Sequence, residues 1–185
     1  MERKTDLRVI KTKKRIKEVF LELSAKKEIK KITVTEIAKT AEINKGTFYL
    51  HYKDIYELYA EVMKDKVYAT AETFGYYQEF FDAPDQFVIH FFEFADDHFL
   101  RPDDNDFCSN SMPGVSITTM IADSFREKIY TLGRISQNPV NDTKLDYIIF
   151  TLMYFLSDDH LEKDTKTAAE LTTGVIRLSF PKVIR

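Results

Sequence analysis

Apolar residues recur three and four positions apart along nearly the whole sequence, and no stretch alternates apolar and polar residues with a period of two. That spacing confines the chain to helices. The 5 Gly and 5 Pro among 185 residues are also too few for the many tight turns of an all-β fold. The expected fold class is all-α, with a small N-terminal module joined to a larger helical body. A hydrophobic content of 44% excludes wholesale disorder. The single cysteine, Cys108, excludes an internal disulfide framework and fits a reducing compartment. Met1 to Lys17 is polar and basic, unlike a secretory signal. The most apolar run, Leu145 to Leu156, falls well short of the about 20 residues a bilayer requires. These features predict a soluble, cytoplasmic protein with no membrane partner.

The net charge of −3 hides a division along the chain. Through Lys53 there are 15 Lys and Arg against 7 Asp and Glu, a balance of +8, and the remainder carries −11. A basic head on an acidic body suggests nucleic-acid binding by the head and another task for the body.

Ile16, Val19, Phe20 and Leu23 share one face of a helix from about Leu7 to Lys26, whose other face carries Lys13, Lys14 and Lys17. Thr33 and Glu36 have the spacing at which each side chain satisfies a free backbone amide of the other, which predicts a second helix starting there. Asp54 and Glu57 repeat that signature before a longer helix marked by Ile55, Leu58, Tyr59, Val62 and Met63. Pro84 opens a helix carrying Phe87, Phe91, Phe94 and His98. Arg101 to Ser116 reads as a long acidic connection. A further helix from Ile117 is expected to end near Asn138-Pro139, followed by helices near Thr143–Ser157 and Asp164–Ser179.

The segment from Ile32 to Asp54 has the layout of a helix-turn-helix. A capped helix carries a small residue, Ala38, where two helices cross, Ile37 and Phe48 anchor the crossing, and a short second helix from Asn44 to Leu50 exposes polar and aromatic side chains. Lys45 can donate to guanine or to a phosphate, Gly46 lets the backbone approach DNA, and Thr47 can bond a phosphate or touch a thymine methyl. Tyr49 and His51 can donate to phosphate oxygens, as can the free amides at the helix starts near Thr33 and Asp54.

These residues resemble the TetR/AcrR family of bacterial transcriptional regulators. The matching positions are Thr33, Glu36-Ile37-Ala38, Ala41, Ile43, the run Gly46-Thr47-Phe48-Tyr49-Leu50-His51-Tyr52, Asp54 and Leu58. The resemblance implies a helix-turn-helix DNA-binding domain (residues 1–53) and a helical ligand-binding and dimerisation domain (residues 54–185), with the last two helices at a homodimer interface. It places Thr33, Thr35, Lys45, Gly46, Thr47, Tyr49, Leu50, His51 and Lys53 at the DNA surface. The chain departs from the family at Glu42, where glycine is usual, and at Ile55, where lysine is usual. The implied function is a ligand-responsive regulator, a repressor on a palindromic double-stranded operator, with an unknown small-molecule effector. The alternative is a protein-interaction regulator of the same fold with weak or lost DNA binding.

In the body, Phe74, Tyr77, Phe87, Phe91, Phe94 and Phe125 are candidates for an apolar ligand site, or else for the core. Leu145 to Leu156 is apolar at ten of twelve positions, and such a helix must be covered all round. That predicts a dimer interface through Tyr147, Phe150 and Tyr154, with Leu171, Val175 and Leu178 of the final helix beside them. No metal or cofactor is expected. His90, Glu93 and Asp97, and the two Asp-Asp-His runs at Asp96 to His98 and Asp158 to His160, lack ligands converging from other elements. With no phosphate-binding glycine loop, nucleophile elbow or Cys/His cluster, an enzyme is not expected.

Overall fold

The computed structural model describes residues 7–100, 116–155 and 165–183. Among them the chain is all helical, without a strand. The helices are α1 (Leu7–Ser24), α2 (Val34–Thr40), α3 (Lys45–Tyr49), α4 (Ile55–Glu72), α5 (Glu79–Asp82), α6 (Pro84–Ala95), α7 (Ile117–Thr131), α8 (Pro139–Phe155) and α9 (Thr165–Ser179). A 3-10 turn at Ile29–Lys31 and a π-helical turn at Asp96–Leu100 complete the set. Cys108 and Asp158 to His160 lie outside the described residues.

The described residues divide between Met63 and Lys64 into two compact units. The expected domain division at residue 53 precedes α4. The packing division falls within α4, because its first turns are anchored on the N-terminal unit. Leu58, Tyr59, Val62 and Met63 are buried there, and the Tyr59 ring meets Phe20 edge-on at 6.4 Å. Ile16, Val19 and Phe20 supply the face of α1, and Ile37, Ala38 and Phe48 supply α2 and α3. Each such aliphatic or aromatic side chain, fully buried, contributes about 1.5–3 kcal/mol.

Two helix ends differ from expectation. The helix from Ile117 stops at Thr131, with Leu132 as its cap and Gly133 in the left-handed region (φ 68°) that glycine enters without strain. Asn138 and Pro139 then start α8 four residues early. The Asn138 side chain accepts the Asn141 amide at 3.0 Å, and Pro139 occupies a first-turn position where no amide is needed. Two short pieces, Ile29–Lys31 and α5, escape periodicity because neither is long enough to show one.

In the second unit α6 packs on α9, α9 on α8, and α8 on α7. The core between them is unusually aromatic. Phe74 lies within 6.4 Å, centroid to centroid, of Tyr76, Tyr77, Phe87, Phe91, Phe94 and Phe125, mostly edge to face, the arrangement that ring quadrupoles favour. The Tyr77 hydroxyl donates to the Ala71 carbonyl at 2.8 Å, and burial pushes its pKa up, so it stays protonated. Arg126 of α7 ties α8 in place by pairing with Asp146, with Asp123 also bound and Asp142 at 4.0 Å. Burial alone would lower the Arg126 pKa, but these carboxylates raise it above the usual value. Among the described residues no helix is long and apolar enough to cross a membrane.

Candidate nucleic-acid interface

Helix α2 starts as its sequence predicts. The Glu36 amide donates to Thr33 Oγ1 at 3.2 Å, and the Thr33 amide donates to Glu36 Oε2 at 3.3 Å. Lys27 Nζ holds both Glu36 oxygens at 2.5 and 2.6 Å, and this pairing keeps the Glu36 carboxyl below the usual carboxylate range. The same bonds fasten the 3-10 corner to the start of α2.

The turn after α2 closes with two backbone bonds. Ile43 N–H donates to the Ala38 carbonyl at 2.9 Å and Glu42 N–H to the Lys39 carbonyl at 3.3 Å, so two of the helix's last carbonyls are satisfied. That closure requires a left-handed residue at position 42, and Glu42 adopts it with φ 57°. It is the one described non-glycine residue with positive φ. The turn thus keeps its shape without the family's glycine, at the cost of strain.

Asn44 then caps α3, its Oδ1 accepting the Thr47 amide at 2.7 Å and the Thr47 hydroxyl at 3.0 Å. A Cβ on Gly46 would lie 3.2 Å from that same Oδ1, so glycine here protects the cap as well as leaving the helix surface low. Phe48 is wholly buried and packs on Tyr52 at 5.7 Å between ring centroids. With Phe48 turned inward, the next residues face out: Tyr49 is 57% and Leu50 82% exposed. Lys45 and Gly46 are exposed, Thr47 and His51 half-buried, and Thr33, Thr35 and Lys53 exposed. The side chains of Lys45, His51 and Lys53 have no ion-pair or hydrogen-bond partner among the described residues.

The start of α4 is capped by Asp54, whose Oδ1 accepts the Glu57 amide at 2.9 Å. The return bond runs from the Lys53 amide to Glu57 Oε2 at 2.5 Å, one residue earlier than expected. Ile55, at the family's lysine position, offers no cation there, and half-exposed Tyr56 is the neighbour with a donor at its tip. Sequence reasoning missed Tyr56; an aromatic ring with a polar tip in a first helical turn was its only signal. Behind this surface, Glu61 of α4 accepts from Lys13 at 2.7 Å and pairs with Lys17 at 2.6 Å, binding α1 to α4. Burial works to raise the Glu61 pKa, and the two lysines outweigh it and leave it lowered.

The residues expected in the second unit are placed differently from one another. Phe74, Tyr77, Phe87, Phe91 and Phe125 are buried in the aromatic core and Phe94 packs at its edge; none of the six lines the cavity beside Phe92. Their helical spacing turns them inward, where rings meeting edge to face fill the space. That cavity, a groove of about 780 Å³, runs between α6 and α9 and is lined by Ile89, Phe92, Glu93, Ala169, Glu170 and Thr173 among others. Tyr147, Phe150, Tyr154, Leu171 and Leu178 are exposed, and Val175 is partly buried against the core. Among the described residues α8 is therefore not covered all round: Leu145, Ile148, Ile149 and Leu152 face the core, while Tyr147, Phe150 and Tyr154 are exposed. Among the described residues no three of His, Cys, Asp and Glu gather closely enough to hold a metal ion. His90 instead bonds Glu79 at 2.7 Å and stacks on Tyr76.

Residues 19–62 match the family model described as bacterial regulatory proteins, tetR family. A solved structure of a tetR-family transcriptional regulator from Streptomyces coelicolor is 17% identical, with 92% of this chain and 79% of that chain covered and a TM-score of 0.40. No curated protein matches the chain.

Proposed function

We propose, from the match of residues 19–62 to the family model of bacterial regulatory proteins, tetR family, that the chain is a ligand-responsive repressor acting as a homodimer. The coarser statement, a DNA-binding transcriptional regulator, follows from the family match. The observation that carries the DNA-binding part of this reading is the division of α3. Phe48 is fully buried, while Lys45, Tyr49 and Leu50 point outward and leave Lys45 unpaired among the described residues.

In a two-fold dimer, two α3 helices would enter successive major grooves about 34–36 Å apart on a palindromic operator. Lys45 would donate to a guanine edge or a phosphate, and Tyr49 and His51 would bond phosphates beside it. Thr33, Thr35, Thr47 and Lys53 would position the head on the backbone. The exposed faces of α8 and α9 would join two copies, covering Tyr147, Phe150, Tyr154, Leu171, Val175 and Leu178. An effector bound by the body would favour a dimer state whose heads no longer match both half-sites, and affinity for DNA would fall by that difference. Such a protein works in the cytoplasm, where the DNA is. The intact turn at Glu42 favours this reading over a protein-interaction role with DNA binding lost.

The test is binding to the upstream intergenic DNA over a salt series. Wild type should bind tightly and lose affinity steeply as salt rises. Lys45→Ala should bind at least about tenfold more weakly, the loss of one good base or phosphate contact. Equal binding by the variant would remove α3 from the interface.

A further inference from the structure

We infer that the groove between α6 and α9 is an effector site for an organic ammonium ion, an apolar body carrying a protonated nitrogen. This rests on reading the second unit as a ligand-binding body. Its walls are two helix faces. Asp85, Ile89, Phe92 and Glu93 are one face of α6, and Lys166, Ala169, Glu170, Thr173, Gly174 and Arg177 one face of α9. The volume of about 780 Å³ is that of a site for a drug-sized molecule.

Three observations select the ligand's chemistry. First, Ile89, Phe92 and Ala169 give the groove an apolar surface, and Ile89 is 42% exposed among the described residues. Second, the charges left over are negative. Arg177 is paired with Asp85 at 3.7 Å and Lys166 is also engaged, while Glu93 and Glu170 have no ion-pair or hydrogen-bond partner among the described residues. Third, the Thr173 hydroxyl on the same wall has no hydrogen-bond partner among the described residues although the residue is only 7% exposed. A buried hydroxyl left unpaired is costly, and an N–H donor supplied by a ligand would satisfy it.

Gly174 fits the same account. A glycine in a helix interior weakens it, yet a Cβ there would meet nothing within 4 Å, so packing among the described residues does not require it. What it does is keep the groove open beside Thr173.

The experiment is titration calorimetry on the purified protein without DNA, so its outcome is independent of operator binding. The probe is 1-naphthylmethylammonium, with the anion 1-naphthylacetate as its near-isosteric control. The cation should bind one per chain and the anion should not. Glu93→Gln with Glu170→Gln should weaken the cation about tenfold or more, and Thr173→Val should weaken it further. Gly174→Leu should abolish binding by filling the groove. Gly174→Ala, which strengthens the helix, should remain folded and bind less well. No binding of the cation, equal binding of the anion, or binding that survives both the Gln pair and the Gly174 variants would overturn the inference. So would loss of the dimer in Gly174→Leu with cation binding unchanged, since that would assign the groove to a second copy.

Discussion

Replacing Glu42 by glycine should stabilise the N-terminal unit, and the size of the effect follows from one backbone angle. Glu42 sits at φ 57°, where a side chain's Cβ crowds the neighbouring carbonyl at a cost of about 1–2 kcal/mol. Glycine removes that strain but gives the unfolded chain more freedom, which offsets about 0.4–1 kcal/mol. The net gain should be about 0.5–1 kcal/mol. The bonds Ile43 N–H to Ala38 and Glu42 N–H to Lys39 close only around the left-handed residue, so their opening should report the change. Hydrogen exchange of residues 34–50 should slow by about threefold in Glu42→Gly. Glu42→Gln separates strain from charge, since it keeps the first and removes the second, and its exchange should match wild type. Glu42→Val should exchange faster, a β-branched residue being worst suited to this angle. Stabilisation by Gln equal to that by Gly would refute the strain argument in favour of charge. A loss of protection in Glu42→Gly would mean that the Glu42 side chain makes a contact the turn depends on.

Four further outcomes test other parts of the structure. Glu61 has a lowered pKa in the folded state, so its share of stability is present at neutral pH and is lost as pH falls from about 4.5 through that lowered value; Glu61→Gln should flatten the acid limb of a pH–stability curve. Phe74→Ala should cost about 3–5 kcal/mol in urea unfolding, because the ring is surrounded by six others, whereas a ring lining an open site would cost much less. Leu178→Asp changes an 83% exposed side chain, so monomer stability should stay within about 0.5 kcal/mol while sedimentation shows the dimer weakened; an unchanged dimer would exclude this face. Arg126→Met should destabilise by about 1–3 kcal/mol in thermal unfolding, since it leaves Asp123, Asp142 and Asp146 without their shared cation.

The parts of this protein legible in its sequence are those fixed by local chemistry. The Thr33–Glu36 cap, the Asn44 start of α3 and the inward period of Ile16, Val19 and Phe20 depend on residues at most four positions apart. On α3 the residue types suggest Lys45, Thr47 and Tyr49 as outward contacts, and the resemblance adds Leu50. The unusual angle at Glu42 is signalled only through the resemblance, because glycine is usual at that position and glycine enters the left-handed region without strain.

What tertiary structure decided was where equally apolar residues go. In composition Phe74, Phe91 and Phe125 resemble a ligand box as much as a core, and only their packing on one another, edge-to-face or tilted, makes them core. In α8 the apolar pattern surrounds the helix, and the neighbours on one side select Ile148 and Leu152 for burial while Tyr147 and Tyr154 stay more than half exposed. The groove shows the limit most clearly. Glu93 and Glu170 are separated by seventy-seven residues and meet at one cleft because α6 and α9 pack side by side. Local sequence sets which face of a helix is apolar or charged, through the fixed rotation per residue. It does not set which two faces meet, because that is settled by the packing of the whole core at once.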